Sequence, residues 1–140
     1  MTYLLKVSTS FDAGHRLLGY GGKCASPHGH TYGVELRLAG TSVDDIGMVV
    51  DFSDMKRALR NWISENWDHA FLVNSDDVVL LKALGTITEG RIFIFDHQNP
   101  TTENLAKALF LGMKAKFGSI VSAVEIRETS RQSVVFRGEH

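Results

Sequence analysis

The chain of 140 residues holds six histidines and one cysteine, and His15, Cys24, His28 and His30 crowd into its first 30 positions. His28 and His30 flank Gly29. In an extended chain, residues two apart leave the same face, so both imidazoles aim at one point. His15 sits just past a first apolar run. Pairing of that run with the segment after Pro27 adds a third imidazole. Three neutral imidazoles suit Zn²⁺ and leave a fourth position open. Nickel, copper or ferrous iron accept similar ligands, so zinc is read from ligand type. A histidine pair alone is a weak motif, and it gains weight here from His15 and Cys24 nearby. Cys24 admits two readings. As a fourth ligand it closes a structural site. As a free thiol beside a cation it is favoured as the thiolate. Spacing does not choose between them.

The elements that must position these groups follow from pattern. Tyr3 to Phe11 is rich in β-branched and aromatic residues and reads as a strand. Gly19, Gly21 and Gly22 make Leu18 to Pro27 a loop. Gly29 to Ala39 alternates, with Tyr32, Val34, Leu36 and Leu38 on one face, and reads as a second strand. Met48 to Phe52 reads as a short strand. Ser53 or Asp54 can cap a helix to about Asn66, with Met55, Leu59, Trp62 and Ile63 on one side; Asp51 is an alternative cap. Trp67 to Leu72 leaves that helix, and Asp76 to Gly85 is a short helix or turn. Arg91 to Asp96 is an apolar strand. Pro100 precedes a second long helix, capped by Thr101 or Thr102, with Glu103 in its first turn and Gly118 at its end. Ala123 to Glu128 and Val134 to Arg137 close the chain as strands. The sum is an α+β domain over residues 1–140, a mainly antiparallel sheet with two long helices on one face.

Composition narrows the partners. The formal net charge is -1, which gives no basic field for nucleic acid or an acidic membrane. No apolar run approaches the roughly 18 residues of a membrane span. Met1 to Lys6 lacks the order of a signal peptide, so a cytoplasmic protein is expected. One cysteine cannot form an internal disulfide. Gly19-Tyr-Gly-Gly does not sit between a strand and a helix and is no phosphate-binding fingerprint.

Six ordered blocks carry a resemblance that spans nearly the whole chain. They are Phe11-Asp-Ala-Gly-His15-Arg-Leu, Cys24-x-x-x-His28-Gly-His30, Met48-Val-Val-Asp51-Phe52, Trp67-Asp68-His69-Ala-Phe-Leu72, Pro100-Thr101-Thr102-Glu103-Asn104-Leu-Ala, and Arg127-Glu128-Thr129 followed by Phe136-Arg-Gly-Glu. The chain resembles the 6-pyruvoyl- and 6-carboxy-tetrahydropterin synthase superfamily. The resemblance implies a tunnelling fold, in which a four-stranded antiparallel sheet carries two helices. Three subunits then close a barrel, and two trimers stack as a homohexamer with active sites between subunits. It implies that His15, His28 and His30 bind zinc and that Cys24 is the catalytic base rather than a ligand. Asp68 and His69 would form a proton relay. Glu128 would anchor the pterin and is grouped with the relay, and Thr101, Thr102 and Glu103 would line the pterin pocket. The implied substrate is 7,8-dihydroneopterin triphosphate. Arg16 and Lys23 are candidates for its triphosphate.

Each role has a plainer counterpart. Asp68-His69 after a helix suits a cap or surface pair, Glu103 a first-turn carboxylate, Glu128 a solvent-facing strand residue, and Asp51 a structural cap. His97 and His140 read as incidental. The gap of three residues between Cys24 and His28 is similar to that of the bacterial 6-carboxy branch of queuosine and deazapurine synthesis, with a 6-pyruvoyl product as the alternative. The chain departs from the family pattern at Leu17 to Lys23, at Val73 to Gly90, and after Glu128, where Thr-Ser-Arg-Gln-Ser replaces a cysteine-containing turn. Two non-enzymatic readings stand beside these: a structural zinc protein with Cys24 as fourth ligand, and a pterin-binding module without turnover.

Overall fold

In the computed structural model, which describes residues 2–87 and 89–138, two strands of equal length form the spine of the fold. These are β1 (Tyr3–His15) and β2 (His28–Gly40), paired antiparallel from Tyr3↔Gly40 to His15↔His28. Both run further than the apolar alternation predicts, and the added residues at their shared end, Asp12 to His15 and His28, include two of the histidines. Then follow α1 (Phe52–Asn66), β3 (Ala70–Asn74), α2 (Val78–Leu84), β4 (Ile92–Phe95), α3 (Thr102–Phe117), β5 (Val121–Thr129) and β6 (Gln132–Phe136).

The sheet has six strands in the order β4-β3-β1-β2-β5-β6. The expected four antiparallel strands are its β1-β2-β5-β6 part. The strand count is corrected by β3 and β4, which extend the sheet in parallel with β1. Ala70-Phe-Leu-Val-Asn74 is a short apolar run with buried residues on both of its faces. Such a run lacks the alternation that marks a half-exposed strand. Met48 to Phe52 is not a strand. The Asp44 carboxylate takes the N–H of Ile46 and of Met48, and Asp51 already opens α1, so few backbone groups are left for a ladder.

The cap of α1 is Asp51, whose side chain accepts the Ser53 N–H at 2.7 Å. Ser53 and Asp54 therefore lie within the first turn, where the Asp54 carboxylate suits the dipole. Met55, Leu59 and Ile63 face the sheet and are buried, each contributing roughly 2 kcal/mol of burial. At the other end, the Arg91 guanidinium donates to the carbonyls of Ser64, Glu65 and Asp68, which satisfies acceptors a helix leaves open. Thr101 caps α3 by accepting the Asn104 N–H at 3.2 Å. Gly118, with φ of 67°, ends it. A Cβ at Gly112 would stand 2.4 Å from Trp62 Nε1, so glycine lets α3 approach α1 closely.

Both long helices pack on one face of the sheet. That face carries Val7, Phe11 and Ala13 of β1, Tyr32, Val34, Leu36 and Leu38 of β2, and Val124 and Ile126 of β5. Phe11 stacks on Tyr32 with ring centroids 5.0 Å apart, and Trp67 closes over Phe11. Among the described residues, no helix is long and apolar enough to cross a membrane.

Candidate metal centre

The apolar rows of the buried face end in histidine. On β1 the row Val7, Phe11, Ala13 continues to His15. On β2 the row Leu36, Val34, Tyr32 continues to His30 and His28, and on β5 the row Val124, Ile126 continues to Glu128. Strand alternation places all four side chains on the core side of the sheet. The start of α3 lies over them. The three rings sit with centroids 4.7 to 5.2 Å apart. One ligand atom from each of His15, His28, His30 and Glu128 falls within a 4.8 Å span.

Hydrogen bonds orient the rings. His15 is 2% exposed, and its Nδ1–H donates to the Pro100 carbonyl at 2.8 Å. His28 Nδ1–H donates to the Ser26 carbonyl at 2.6 Å. A carbonyl accepts only from N–H, so these bonds put the proton on Nδ1 and leave the Nε2 lone pairs facing inward. Those two Nε2 atoms are 3.1 Å apart, close to the separation of about 3.3 Å expected for two nitrogens on one tetrahedral zinc. Burial pushes the His15 imidazolium below its ordinary range, which the Pro100 carbonyl only partly opposes, so the ring is held neutral. His30 Nε2 is buried without a hydrogen bond. Its 2.9 Å approach to Glu128 Oε1 is an ion-pair distance that lacks hydrogen-bond direction. A buried ring nitrogen with no hydrogen-bond partner is costly. A divalent cation among the three Nε2 atoms removes that cost, so the residues present fit such a metal.

Glu128 has a second engagement: its Oε2 accepts the Thr102 hydroxyl at 2.7 Å. Thr102, Glu103 and Glu128 line a cleft of about 160 Å³ with Gln132, Ser133 and Val134. Thr101 serves as the helix cap and is not on that lining. Cys24 is half-buried on the short helical turn Lys23–Ala25, and its sulfur is not among the four grouped donors. The geometry therefore does not favour a closed Cys-His₃ site.

Asp68 and His69 are not brought to this group within one chain. They form a second cluster with Asp12, all three ligand atoms again within 4.8 Å. Asp12 pairs with Thr31 across the hairpin, on the sheet face opposite His15 and His30. Asp68 Oδ1 accepts the Asp12 N–H and lies 3.0 Å from His69 Nδ1. His69 is exposed, with φ of 59°. A cleft of about 570 Å³ opens beside it, walled by Asp12, Phe71, Leu84, Ile87 and Arg91 and reaching Gly29 and His30.

Arg16 is not directed at a substrate. Its guanidinium grips Asp77 through Nε at 2.6 Å and a terminal nitrogen at 2.5 Å. Lys23 is exposed on the turn of Cys24. His97 joins neither cluster and pairs with Asp76 at 2.7 Å, which raises its pKa. His140 and Glu139 lie outside the described residues. Asp12 and Asn99 went unmarked in the sequence. Asp12 is a polar residue between apolar Phe11 and Ala13, and Asn99 belongs to an Asn-Pro-Thr turn signal.

The family model described as 6-pyruvoyl tetrahydropterin synthase matches residues 4–139. The 6-carboxy-5,6,7,8-tetrahydropterin synthase of Rickettsia felis is 39% identical over 99 residues, 71% of this chain and 71% of that one. The 6-pyruvoyl tetrahydrobiopterin synthase of Dictyostelium discoideum is 34% identical over 119 residues, 84% of this chain and 76% of that one. The structure of Caenorhabditis elegans 6-pyruvoyl tetrahydropterin synthase superposes with a TM-score of 0.74 at 26% identity, covering 99% of this chain and 97% of that one.

Proposed function

Because the chain belongs to the 6-pyruvoyl tetrahydropterin synthase family, we propose that it is a zinc-dependent 6-carboxy-5,6,7,8-tetrahydropterin synthase. Its substrate is 7,8-dihydroneopterin triphosphate, from which it releases triphosphate and acetaldehyde as a carbon–oxygen lyase. The assignment places it in the cytoplasm, in queuosine and deazapurine synthesis, as one domain assembled into a homohexamer. The observation that carries the reading is the convergence of three imidazole Nε2 atoms, two of them oriented by backbone carbonyls. The carboxy product is favoured over the pyruvoyl one by the Cys24–His28 spacing and by the Rickettsia relative. The Dictyostelium relative keeps the pyruvoyl product as the alternative. A binding homologue with structural zinc and no turnover is a further outcome.

The chain's residues divide the work. His15, His28 and His30 hold the metal. When bound, zinc supplies a Lewis acid that polarises the side-chain hydroxyls of the substrate. The Cys24 thiolate takes the proton from the adjoining carbon. Glu128 accepts the amino and ring N–H donors of the pterin as a fork, while Thr102 fixes one carboxylate oxygen. Glu103 extends the acidic wall of the same cleft, beside the turn that Thr101 caps. His69 returns a proton from Nε2 because Asp68 takes the Nδ1–H. Because Asp68 and His69 cluster with Asp12 and not with the histidine group, we assign their action to the centre of a neighbouring subunit.

The deciding experiment incubates zinc-loaded protein with 7,8-dihydroneopterin triphosphate and reads products by mass spectrometry. The expected product is 6-carboxy-tetrahydropterin with acetaldehyde. Cys24→Ala should keep its zinc and lose about 10²- to 10⁴-fold in rate. A pyruvoyl product moves the chain to the alternative branch. One bound zinc per chain without turnover sinks the substrate assignment.

A further inference from the structure

The loop between β1 and β2, residues 16–27, carries Cys24 and has little packing of its own. Gly19, Tyr20, Gly21 and Gly22 are exposed, and Gly19 has φ of 80°. Glycines add conformations that such a loop must give up to hold one shape. Its ends are anchored by Arg16 on Asp77 and by the Ser26 carbonyl, which takes the His28 Nδ1–H; between them, two contacts hold residues 17 and 18. The Leu17 N–H donates to the Cys24 carbonyl at 2.8 Å, which closes the loop on itself. Leu18 is then gripped by one side chain: its N–H donates to Asn99 Oδ1 at 2.9 Å, and its carbonyl accepts from Asn99 Nδ2 at 2.9 Å. The primary amide thus satisfies both backbone groups of one residue, as a neighbouring strand would.

Asn99 is itself immobilised. Its Oδ1 also accepts from Asn74 Nδ2 at 3.1 Å. Its carbonyl accepts from the Thr101 N–H and from Asn104 Nδ2, each at 2.8 Å. The next residue, Pro100, supplies the carbonyl that orients His15. One dipeptide at the start of α3 therefore holds a metal-facing imidazole and the cysteine loop in a common frame. We propose that Asn99 is a positioning residue for Cys24, fixing the thiol relative to the histidine cluster through its two bonds to Leu18. The amide is suited to this because it offers one donor and one acceptor on one rigid plane. Aspartate keeps only the acceptor, and alanine keeps neither.

The consequence for turnover rests on Cys24 acting as base, whereas the consequence for the loop does not, and the test separates them. Cys24 is the only cysteine in the chain, so iodoacetamide alkylation of thiols reports on it alone. Alkylation rate, zinc content, kcat and KM are measured on zinc-loaded wild type, Asn99→Ala, Asn99→Asp and the core variant Ile63→Val. Asn99→Ala should alkylate several-fold faster and lose kcat, with KM and zinc content close to wild type. Asn99→Asp should fall between. Ile63→Val, which loosens α1 without touching the loop, should alkylate as wild type does. The proposal is overturned if Asn99→Ala alkylates no faster than wild type, or if Ile63→Val accelerates alkylation equally. If wild type shows no turnover, the enzymatic reading fails while the alkylation rates still decide the clamp.

Discussion

His15 and His28 each give their outer nitrogen to a backbone carbonyl, whereas His30 Nε2 has no hydrogen bond and sits beside a carboxylate. The unsatisfied nitrogen makes His30 a ligand, and Glu128, held by Thr102, its neighbour. His30→Ala should weaken zinc binding by more than the roughly 10- to 100-fold that loss of an outer-shell partner costs. Glu128→Gln should retain zinc and raise KM for the pterin, because the amide puts a donor where the substrate also donates. Competition with a chromogenic chelator reads the first effect and steady-state kinetics the second. Wild-type zinc affinity in His30→Ala would remove His30 from the metal centre, and zinc loss in Glu128→Gln would make the carboxylate a ligand. The histidines were legible in the sequence because the period of a strand is two, so His28 and His30 had to share a face. Pro100 was noted only as a helix signal, and its carbonyl as the partner of His15 lies 85 positions away, a distance no local pattern spans.

The Arg16–Asp77 pair joins the end of β1 to the start of α2. Asp77 is 2% exposed, caps α2 by accepting the Leu80 N–H, and takes the Arg16 guanidinium on both oxygens. The guanidinium holds the Asp77 carboxyl below the usual carboxylate range, outweighing the opposite push of burial. A depressed carboxyl stabilises the fold above its unfolded pKa of about 3.9, and that stabilisation is lost as pH falls through the lower folded value. Asp77→Ala should therefore be less stable at about pH 7, with the lost cap alone contributing about 1 kcal/mol. The gap to wild type should narrow as both are acidified below about pH 3. Denaturant unfolding at both values measures it; a gap that stays constant with pH would mean the pair is electrostatically idle. The long helices were readable from Met55, Leu59 and Ile63 and from Leu105, Leu109 and Met113, whose spacing shows one buried face. β3 was not, because a strand buried on both faces has no alternation to read.

Sidedness governs the whole molecule. The metal-facing cluster uses β1 residue His15 and the second cluster uses Asp12, and strand alternation sends those side chains to opposite faces. A single chain thus holds the two halves of the proposed chemistry as separate side-chain groups. An assembly that stacks one chain's His69 face against another's histidine cluster joins them in trans. Cys24→Ala and His69→Ala proteins should each be nearly inactive. Unfolded together at equal amounts and refolded, they should recover activity. With random assembly, a site draws its Cys24 from an intact chain half the time and its His69 from another intact chain half the time, so about a quarter of sites are complete. If both groups came from one chain, every site would lack one of them and mixing would restore nothing. Activity of the refolded mixture, normalised to refolded wild type, distinguishes about one quarter from zero.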